Sequence, residues 1–452
     1  MIEDDIYRTS SQFRIWSFTE DSLKQLRATT NTIASERVRA ALRRAREARQ
    51  SAAPSAVGTP TANQSGSEAD GKGAEERIIE CLTPEEEQEL VRYYCEKTVE
   101  LGETYKPPMP TIVRATAIQY LRRFYLTNSP MTYHPKSIMA CALFLATKTD
   151  NYYMSLRQFA AGIPGDTTQE DVIAPEFLIM QSLRFTFDVR HPFRGLEGGI
   201  MELQAISQGL GQPSPLQPQQ TPEDLRRGLS SIPPAPNASS SQSLNDRLAR
   251  AHHTTREILK SAAQMTDTYF LYTPSQIWLS AFFLADKPLA EFYLDTKIGG
   301  PPATDPDSPL STLRTKLLTI LTNCSNLLSA YKPLSTDPEQ MKTLRRIAKK
   351  LYHCQNPEKA NIAGQKRIPA AATSSGAATA AGTPAAGGGS GESGASESEM
   401  ERLAKKRKLE GGGSSGTKAD DMFGGELVTQ RNKQQNKQQN KQQGPTSHPE
   451  AG

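Results

Sequence analysis

Residues Lys106–Asp150, KPPMPTIVRATAIQYLRRFYLTNSPMTYHPKSIMACALFLATKTD, decide how the rest of the chain is read. Pro107, Pro108 and Pro110 interrupt any helix arriving from upstream. Val113, Ala117, Tyr120 and Phe124 then recur at the helical period, with Leu121 widening the stripe, which predicts a buried central helix. Arg114, Arg122 and Arg123 fall outside that stripe and read as solvated or snorkelling side chains, with partner contact as the alternative. Beyond Tyr133-His134-Pro135, the residues Ile138, Cys141, Ala142 and Leu145 form a second helix, able to approach its neighbours closely because many of its side chains are small. It ends at Lys148, where an ammonium group suits the negative helix end. No catalytic group accompanies either helix, so function is expected in a surface rather than a pocket.

Upstream, Thr83-Pro84-Glu85-Glu86 combines a threonine cap, a proline at the first helical position and acidic residues near the positive helix end, so a helix starts there with Leu90, Val91 and Tyr94 on its apolar side. Downstream, EFLIMQSLRFTF places Phe177, Met180 and Leu183 on an apolar side and leaves the Glu176 carboxylate at the rim. Lys148 and Glu176 are opposite charges that can fix the register of a protein partner. His191, in RFTFDVRHPFRG, reads as a local hydrogen-bonding or loop residue.

The same kind of segment returns at DTYFLYTPSQIWLSAFFLADK from Asp267, where Thr273 caps and Pro274 begins a helix, and Leu317, Leu318, Leu321 and Leu328 continue toward Tyr331. A helix from Thr19 to about Arg49, anchored by Leu23 and Leu26, precedes these units, and one carrying Met341, Leu344, Ala348 and Leu351 follows. Both are expected to dock, because an isolated helix is marginal in water.

Only 36% of the 452 residues are hydrophobic, so much of the chain is expected to stay outside any core. The net charge of +4 is small for this length and sits in the run Arg37–Arg49 and in the tail, so no direct nucleic-acid partner is expected. Five cysteines, Cys81, Cys95, Cys141, Cys324 and Cys354, lack close spacing and read as reduced, mostly buried thiols of a reducing compartment. No run is long and apolar enough to span a bilayer, so a soluble intracellular protein without membrane contact is expected. His252-His253 lacks an HExxH arrangement and GGGSSGTK lacks the GK[ST] ending of a phosphate loop, so neither a metal nor another cofactor is implied.

Four stretches together resemble the cyclin H family: SSQFRIWSF at Ser10–Phe18, KPPMP at Lys106–Pro110, RRFYLTNSPMTYHP at Arg122–Pro135 and TDTYFLYTPSQIWLSAF at Thr266–Phe282. The resemblance, to members of fungal type, implies an all-α chain of two consecutive five-helix cyclin boxes with flanking N- and C-terminal helices. It also implies a non-catalytic subunit that orders the active site of a cyclin-dependent kinase acting on the RNA polymerase II C-terminal repeat and on other cyclin-dependent kinases. The implied partners are that kinase subunit, a RING-finger assembly factor and, by association, the TFIIH core, in the nucleus. Carried onto this sequence, Lys148 and Glu176 fasten the kinase, with Phe144, Leu145, Phe177 and Met180 as apolar neighbours. Arg8, Phe13, Arg14 and Trp16 are candidate N-terminal partner contacts. Asn151, after Asp150, departs from the acidic residue many members carry there and puts a secondary polar contact in doubt. The competing reading is a cyclin-box adaptor or scaffold that binds promoter DNA or general transcription factors without activating a kinase.

The expected division is an N-terminal segment and helix over 1–50, a disordered linker over 51–73, the first box and connector over 74–206 and a disordered Pro/Ser/Gln-rich insert over 207–243. The second box follows over 244–335, the C-terminal helix over 336–360 and a disordered tail over 361–452. In that tail Lys405-Lys406-Arg407-Lys408 is a candidate nuclear-import patch.

Overall fold

The computed structural model describes residues 2–52, 80–217, 219–233, 243–298, 309–334 and 338–356, and among these every regular element is a helix. The expected linker from residue 53, the tail from 361 and its Lys405–Lys408 patch lie outside the described residues. Helices α1 (Ile2–Thr9), α2 (Ser11–Trp16) and α3 (Glu20–Ala52) lead into a first domain of α4 (Pro84–Thr104), α5 (Thr111–Thr127), α6 (Pro135–Thr149), α7 (Leu156–Ala161), α8 (Gln169–Ile173) and α9 (Glu176–Ser182). A second domain comprises α10 (Phe193–Ser207), α11 (Pro222–Ser230), α12 (Leu244–Lys260), α13 (Ala262–Met265), α14 (Thr268–Leu271), α15 (Pro274–Ala285), α16 (Lys287–Ile298) and α17 (Pro309–Ser329). The last helix is α18 (Pro338–Gln355). No described helix is long and apolar enough to cross a membrane.

The first domain is built around α5, whose sequence buries side chains on almost every side, from Val113 through Tyr120 and Phe124 to Leu126. Helices α4 and α6 pack against it. The start of α4 is a complete capping box, Thr83 Oγ1 accepting from Glu86 N at 3.2 Å and Glu86 accepting from Thr83 N at 3.1 Å. Glu87, one residue on, is buried and accepts from the Ser129 hydroxyl. Burial pushes its carboxyl up to about 7, against the Ser129 hydrogen bond. A raised carboxyl pKa favours the native state fully below the ordinary value of 4.5, and this contribution is lost as pH rises through about 7. Glu87→Gln is therefore expected to stabilise the chain by ~2–3 kcal/mol at pH 8 and by much less at pH 5, measured as the change in urea midpoint at the two pH values.

Two corrections concern the second domain. Residues 193–206, assigned by sequence to the first box and its connector, belong to the second core, because Leu196, Ile200, Leu203 and Ile206 of α10 pack there with Ile277, Trp278 and Phe282. Gly195 and Gly199 let the Trp278 indole lie on that helix, since a Cβ on either would meet it at 2.5 and 2.6 Å. The insert expected to be disordered contains α11, capped by Thr221 and Asp224, which buries Leu225 and Leu229 in the same core. Arg247 of α12 fixes the insert's end by donating to the Pro233 carbonyl at 2.7 Å, while it holds Asp286 through two hydrogen bonds of 2.7 and 2.8 Å.

A third correction concerns the arginines of α5. Arg122 and Arg123 neither snorkel into water nor wait for a partner, because the N-terminal helices and the second domain cover them. Arg122 donates to the carbonyls of Gln264 and Thr266, at 2.8 and 2.5 Å, and to Asp267 Oδ1 at 2.5 Å. The same carboxylate receives Arg27 of α3 in a two-pronged pair of 2.7 Å each. Arg123 stacks over the Trp16 ring at 5.1 Å and reaches Gln12 Oε1 at 3.2 Å. Arg114 remains at the rim, paired with Glu103 at 2.6 Å.

His191 lies at the junction of the domains, 3.0 Å from Thr116 Oγ1 on α5 and 3.0 Å from the Tyr269 hydroxyl on α14. Burial, with Arg123 nearby, pushes its imidazole down to about 3, so at neutral pH it is uncharged and has one ring nitrogen to donate and one to accept. Tyr269 also accepts from Gln264 Nε2 at 2.7 Å. The domain junction is thus a directional polar network, which fixes the angle between the domains more tightly than apolar packing alone.

Candidate functional site

The geometry of α6 and α9 brings Lys148 and Glu176 together. Lys148 occupies the last turn of α6 and Glu176 the first turn of α9, so each charge also suits the helix end it sits on. The two form an ion pair in which Glu176 is largely covered, while Lys148 remains 44% exposed. The Lys148 ammonium lies 4.9 Å from the centre of the Phe144 ring, which supports it from below. Cys141 is one turn further back, its thiol pushed up to about 12 by burial and by Glu176.

Asp150 and Asn151 close α6. The departure at Asn151 has a backbone explanation, since this residue has φ 57°, a left-handed conformation that asparagine tolerates better than most side chains. Tyr152 N then returns to the Thr147 carbonyl at 2.9 Å, and Tyr153 stands almost fully in solvent on the same rim.

The apolar neighbours separate into two groups. Phe144 and Leu145 are buried, Phe144 tilted against Phe159 with ring centres 5.1 Å apart, so they support the rim from the core. Met180 is half-buried, and Phe177, expected on the apolar side of its helix, turns outward and is 61% exposed. The residues that fill the core from α9 are Ile179 and Leu183. Phe177 has an exposed companion in Phe185, ring centres 6.3 Å apart. Phe185 follows Arg184 in a pair of left-handed residues, φ 54° and 52°, that end α9 with Phe185 N bonded to the Met180 carbonyl at 2.9 Å. Two consecutive non-glycine residues in that region cost about 1–3 kcal/mol each, and such strain clusters at functional surfaces. Sequence reasoning placed Phe185 in the connector and had no signal for its exposure, which depends on this turn.

The N-terminal candidates also separate. Trp16 is not available to a partner: it is buried, its indole N–H donates to Thr186 Oγ1 at 3.0 Å, and Arg123 covers its face. Gln12, one turn earlier and not singled out by sequence, is fully buried, accepts from Arg190 N at 2.7 Å and supports Arg123. The spacing of Gln12 and Trp16 on one helix face was the available signal. Arg8, Phe13 and Arg14 remain exposed, Phe13 edge-on to Tyr7 at 5.6 Å. The bond from Trp16 to Thr186 brings α2 beside the turn that carries Phe185.

Among the described residues no group of three or more His, Cys, Asp or Glu is placed to hold a metal ion. The arrangement is a charged and aromatic rim on a rigid helical base, suited to gripping another protein.

Comparison with known proteins gives the family of the fold. The family model for the cyclin N-terminal domain matches residues 84–188, and that for the cyclin C-terminal domain matches residues 191–329. Cyclin CCL1 of Saccharomyces cerevisiae is 29% identical, over 82% of this chain and 87% of its own length. Cyclin mcs2 of Schizosaccharomyces pombe is 29% identical, over 78% and 86%. Cyclin-H of Xenopus laevis is 28% identical, over 63% and 76%. Among solved structures, a chain in the CAK complex from Chaetomium thermophilum bound to ATP-gamma-S superposes with a TM-score of 0.57 at 28% identity, covering 83% of this chain and all of that one.

Proposed function

This chain belongs to the cyclin family, and from that premise we propose that it is the regulatory cyclin of a CDK-activating, TFIIH-type kinase complex. It binds a cyclin-dependent kinase subunit, with a RING-finger assembly factor, and supplies no catalytic group of its own. The kinase phosphorylates the RNA polymerase II C-terminal repeat, and the complex works in the nucleus. The single observation that supports this reading most is the Lys148–Glu176 pair, held at the junction of α6 and α9 beside the exposed Phe177 and Phe185.

Mechanically, the rim is preorganised. Core residues Phe144, Ile179 and Leu183 hold α6 and α9 in place, so a kinase helix docking there meets fixed charges and rings rather than mobile ones. A kinase active site needs its ion-pairing glutamate helix swung inward, and a rigid surface that binds only the inward position shifts the population toward it. Lys148 and Glu176 act in this scheme as register-setting contacts, Phe177 and Phe185 as apolar anchors, and Arg8, Phe13 and Arg14 as an extension of the same face.

The test is phosphorylation of an RNA polymerase II repeat peptide by the purified cognate kinase and assembly factor while this chain is titrated in, with binding followed in parallel. Saturable stimulation that tracks binding is the expected result. A chain that binds neither kinase nor assembly factor, or binds without stimulating, rejects the assignment.

A further inference from the structure

The run Arg37–Arg46 of α3 holds five arginines in ten residues, with no lysine and no acidic residue among them, and the kinase-facing rim makes no use of it. Helix α3 is fixed to the fold by its other side: Leu23, Ala34, Val38 and Leu42 are buried, Thr30 Oγ1 donates to the Leu126 carbonyl at 2.7 Å, and Asn31 Nδ2 donates to the Leu82 carbonyl at 2.8 Å. At about 3.6 residues per turn, the arginines therefore emerge on the two flanks of the opposite side. Arg39 and Arg43 stand one turn apart on one flank, continued by the half-buried Arg46, and Arg37 and Arg44 stand two turns apart on the other. Arg37, Arg39, Arg43 and Arg44 are all exposed. Between the flanks, Glu36 and Glu47 mark the outermost line of the helix, about three turns apart.

Within the helix this arrangement is unfavourable. Arg39 with Arg43, and Arg43 with Arg46, are like charges one turn apart, about 5–6 Å between Cβ atoms, and such pairs destabilise a helix. Arg37, Arg39, Arg43 and Arg44 take part in no ion pair among the described residues. Exposed cations elsewhere do pair across one turn, Arg226 with Glu223 at 2.9 Å, Lys260 with Glu257 at 2.7 Å and Lys342 with Glu339 at 2.6 Å. The choice of residue points to the missing partner. A guanidinium meets a phosphate through two parallel N–H donors, which an ammonium cannot offer. A continuous polyanion lying along the helix would meet Glu36 and Glu47 on its outermost line, and the run has no aromatic side chain on which a base can stack. Separate phosphate groups on a flexible peptide reach either flank without crossing that line.

We propose that this arginine face of α3 docks serine-phosphorylated repeats of the RNA polymerase II C-terminal segment, the product of the kinase that this chain serves; the choice of peptide rests on the function proposed above. A phosphoserine carries a charge of about −1.5 to −2 and three acceptor oxygens at neutral pH, more than a carboxylate offers. Arg39 and Arg43 are spaced to share one phosphate, and Arg37 and Arg44 receive a phosphate arriving on the other flank. Because α3 is held by its opposite side, docking requires no refolding of the chain. A polymerase tail that already carries phosphates is thereby kept near the kinase while its remaining repeats are modified.

The experiment measures, by fluorescence anisotropy, binding of the full chain without kinase to a labelled multi-repeat peptide, unphosphorylated or carrying one phosphoserine in each repeat. The phosphorylated peptide is expected to bind roughly tenfold more tightly, with an affinity that falls as salt rises. In Arg37→Gln/Arg39→Gln/Arg43→Gln/Arg44→Gln that preference is expected to shrink to about twofold or less. The basic patch Lys405–Lys408 is intact in this variant, so a preference that survives places the binding elsewhere and overturns the proposal. Glutamine also relieves the like-charge repulsion, so the urea midpoint of the variant is expected to match or exceed that of the wild-type chain; a lower midpoint assigns the arginines to folding and overturns the proposal as well. Equal affinity of the wild-type chain for the two peptides overturns it without any variant, and so does equally tight binding of a DNA duplex of matched charge, which marks a general polyanion site. Stimulation of the kinase with no preference for the phosphopeptide refutes the docking site and leaves the proposed function standing, whereas the preference without stimulation refutes the function and leaves the docking site.

Discussion

Asp267→Ala is expected to lower the stability of the chain by about 3–5 kcal/mol, the largest effect of any single substitution considered, because one carboxylate neutralises two arginines that approach it from different elements. Arg27 reaches it from α3 and Arg122 from α5, and both guanidinium groups are largely covered. Removing the carboxylate leaves Arg122 with its two carbonyl partners and no counter-charge, and detaches α3 from the second domain. Asp267→Asn keeps the volume and one acceptor oxygen, so it should cost less than alanine and still more than ~1 kcal/mol. Burial alone would raise the Asp267 carboxyl, but the two arginines outweigh it and hold the group below the ordinary aspartate value. A depressed carboxyl pKa stabilises the native state above the unfolded value of about 3.8, and the contribution is lost as pH falls through the lowered one. Urea unfolding at neutral pH and at pH 3 measures both statements. A neutral-pH cost below ~1 kcal/mol would mean that solvent screens the cluster, and the polar account of the domain junction would fail.

The second large effect concerns function rather than folding. Glu176→Lys is expected to weaken kinase binding and stimulation by roughly 2–5 kcal/mol, or about 30- to several thousand-fold, if the pair faces the kinase as proposed. The cost to folding should be small, about 0–1 kcal/mol, because Lys148 is substantially solvated and solvent screens the pair. The exchange Lys148→Glu/Glu176→Lys separates a structural role from a recognition role. If the two residues matter only to each other, the exchange restores stimulation along with the ion pair. If each meets its own group on the kinase, the exchange restores folding and leaves stimulation lost, and that second outcome is the expected one.

How much of this was legible in the sequence varied by element. The helices of the first domain were readable because several independent signals agreed: the capping box at Thr83, the prolines before Thr111 and the apolar stripe from Val113 to Phe124 all point the same way. The same grammar is present at Thr221-Pro222-Glu223-Asp224, followed by Leu225 and Leu229 one turn apart, but the surrounding proline and glutamine outweighed it when the segment was read by composition. A local cap and two leucines decide a short helix, whereas composition describes only an average. The arginines of α5 were misread for a different reason. Periodicity says which face is apolar, and it cannot say that Asp267, far along the chain, will arrive to neutralise a charge on another face. The site followed the same pattern. Lys148 and Glu176 could be named individually, while the outward turn of Phe185 depends on two backbone angles that no residue type announces.

The clamp on α3 also constrains the order in which the chain is completed during synthesis. Arg27 and its acceptor Asp267 are separated by 240 positions. At ribosomal speeds of about 5–20 residues per second, Arg27 waits roughly 12–50 seconds for that acceptor. Arg122 precedes Asp267 by 145 positions, so for roughly 7–30 seconds of that time the first domain carries it without its counter-charge and with its cover unfinished, a stage in which half the fold is built and α18 has yet to be made. Chaperone occupancy is expected to concentrate on that stage and to fall once the second domain has emerged.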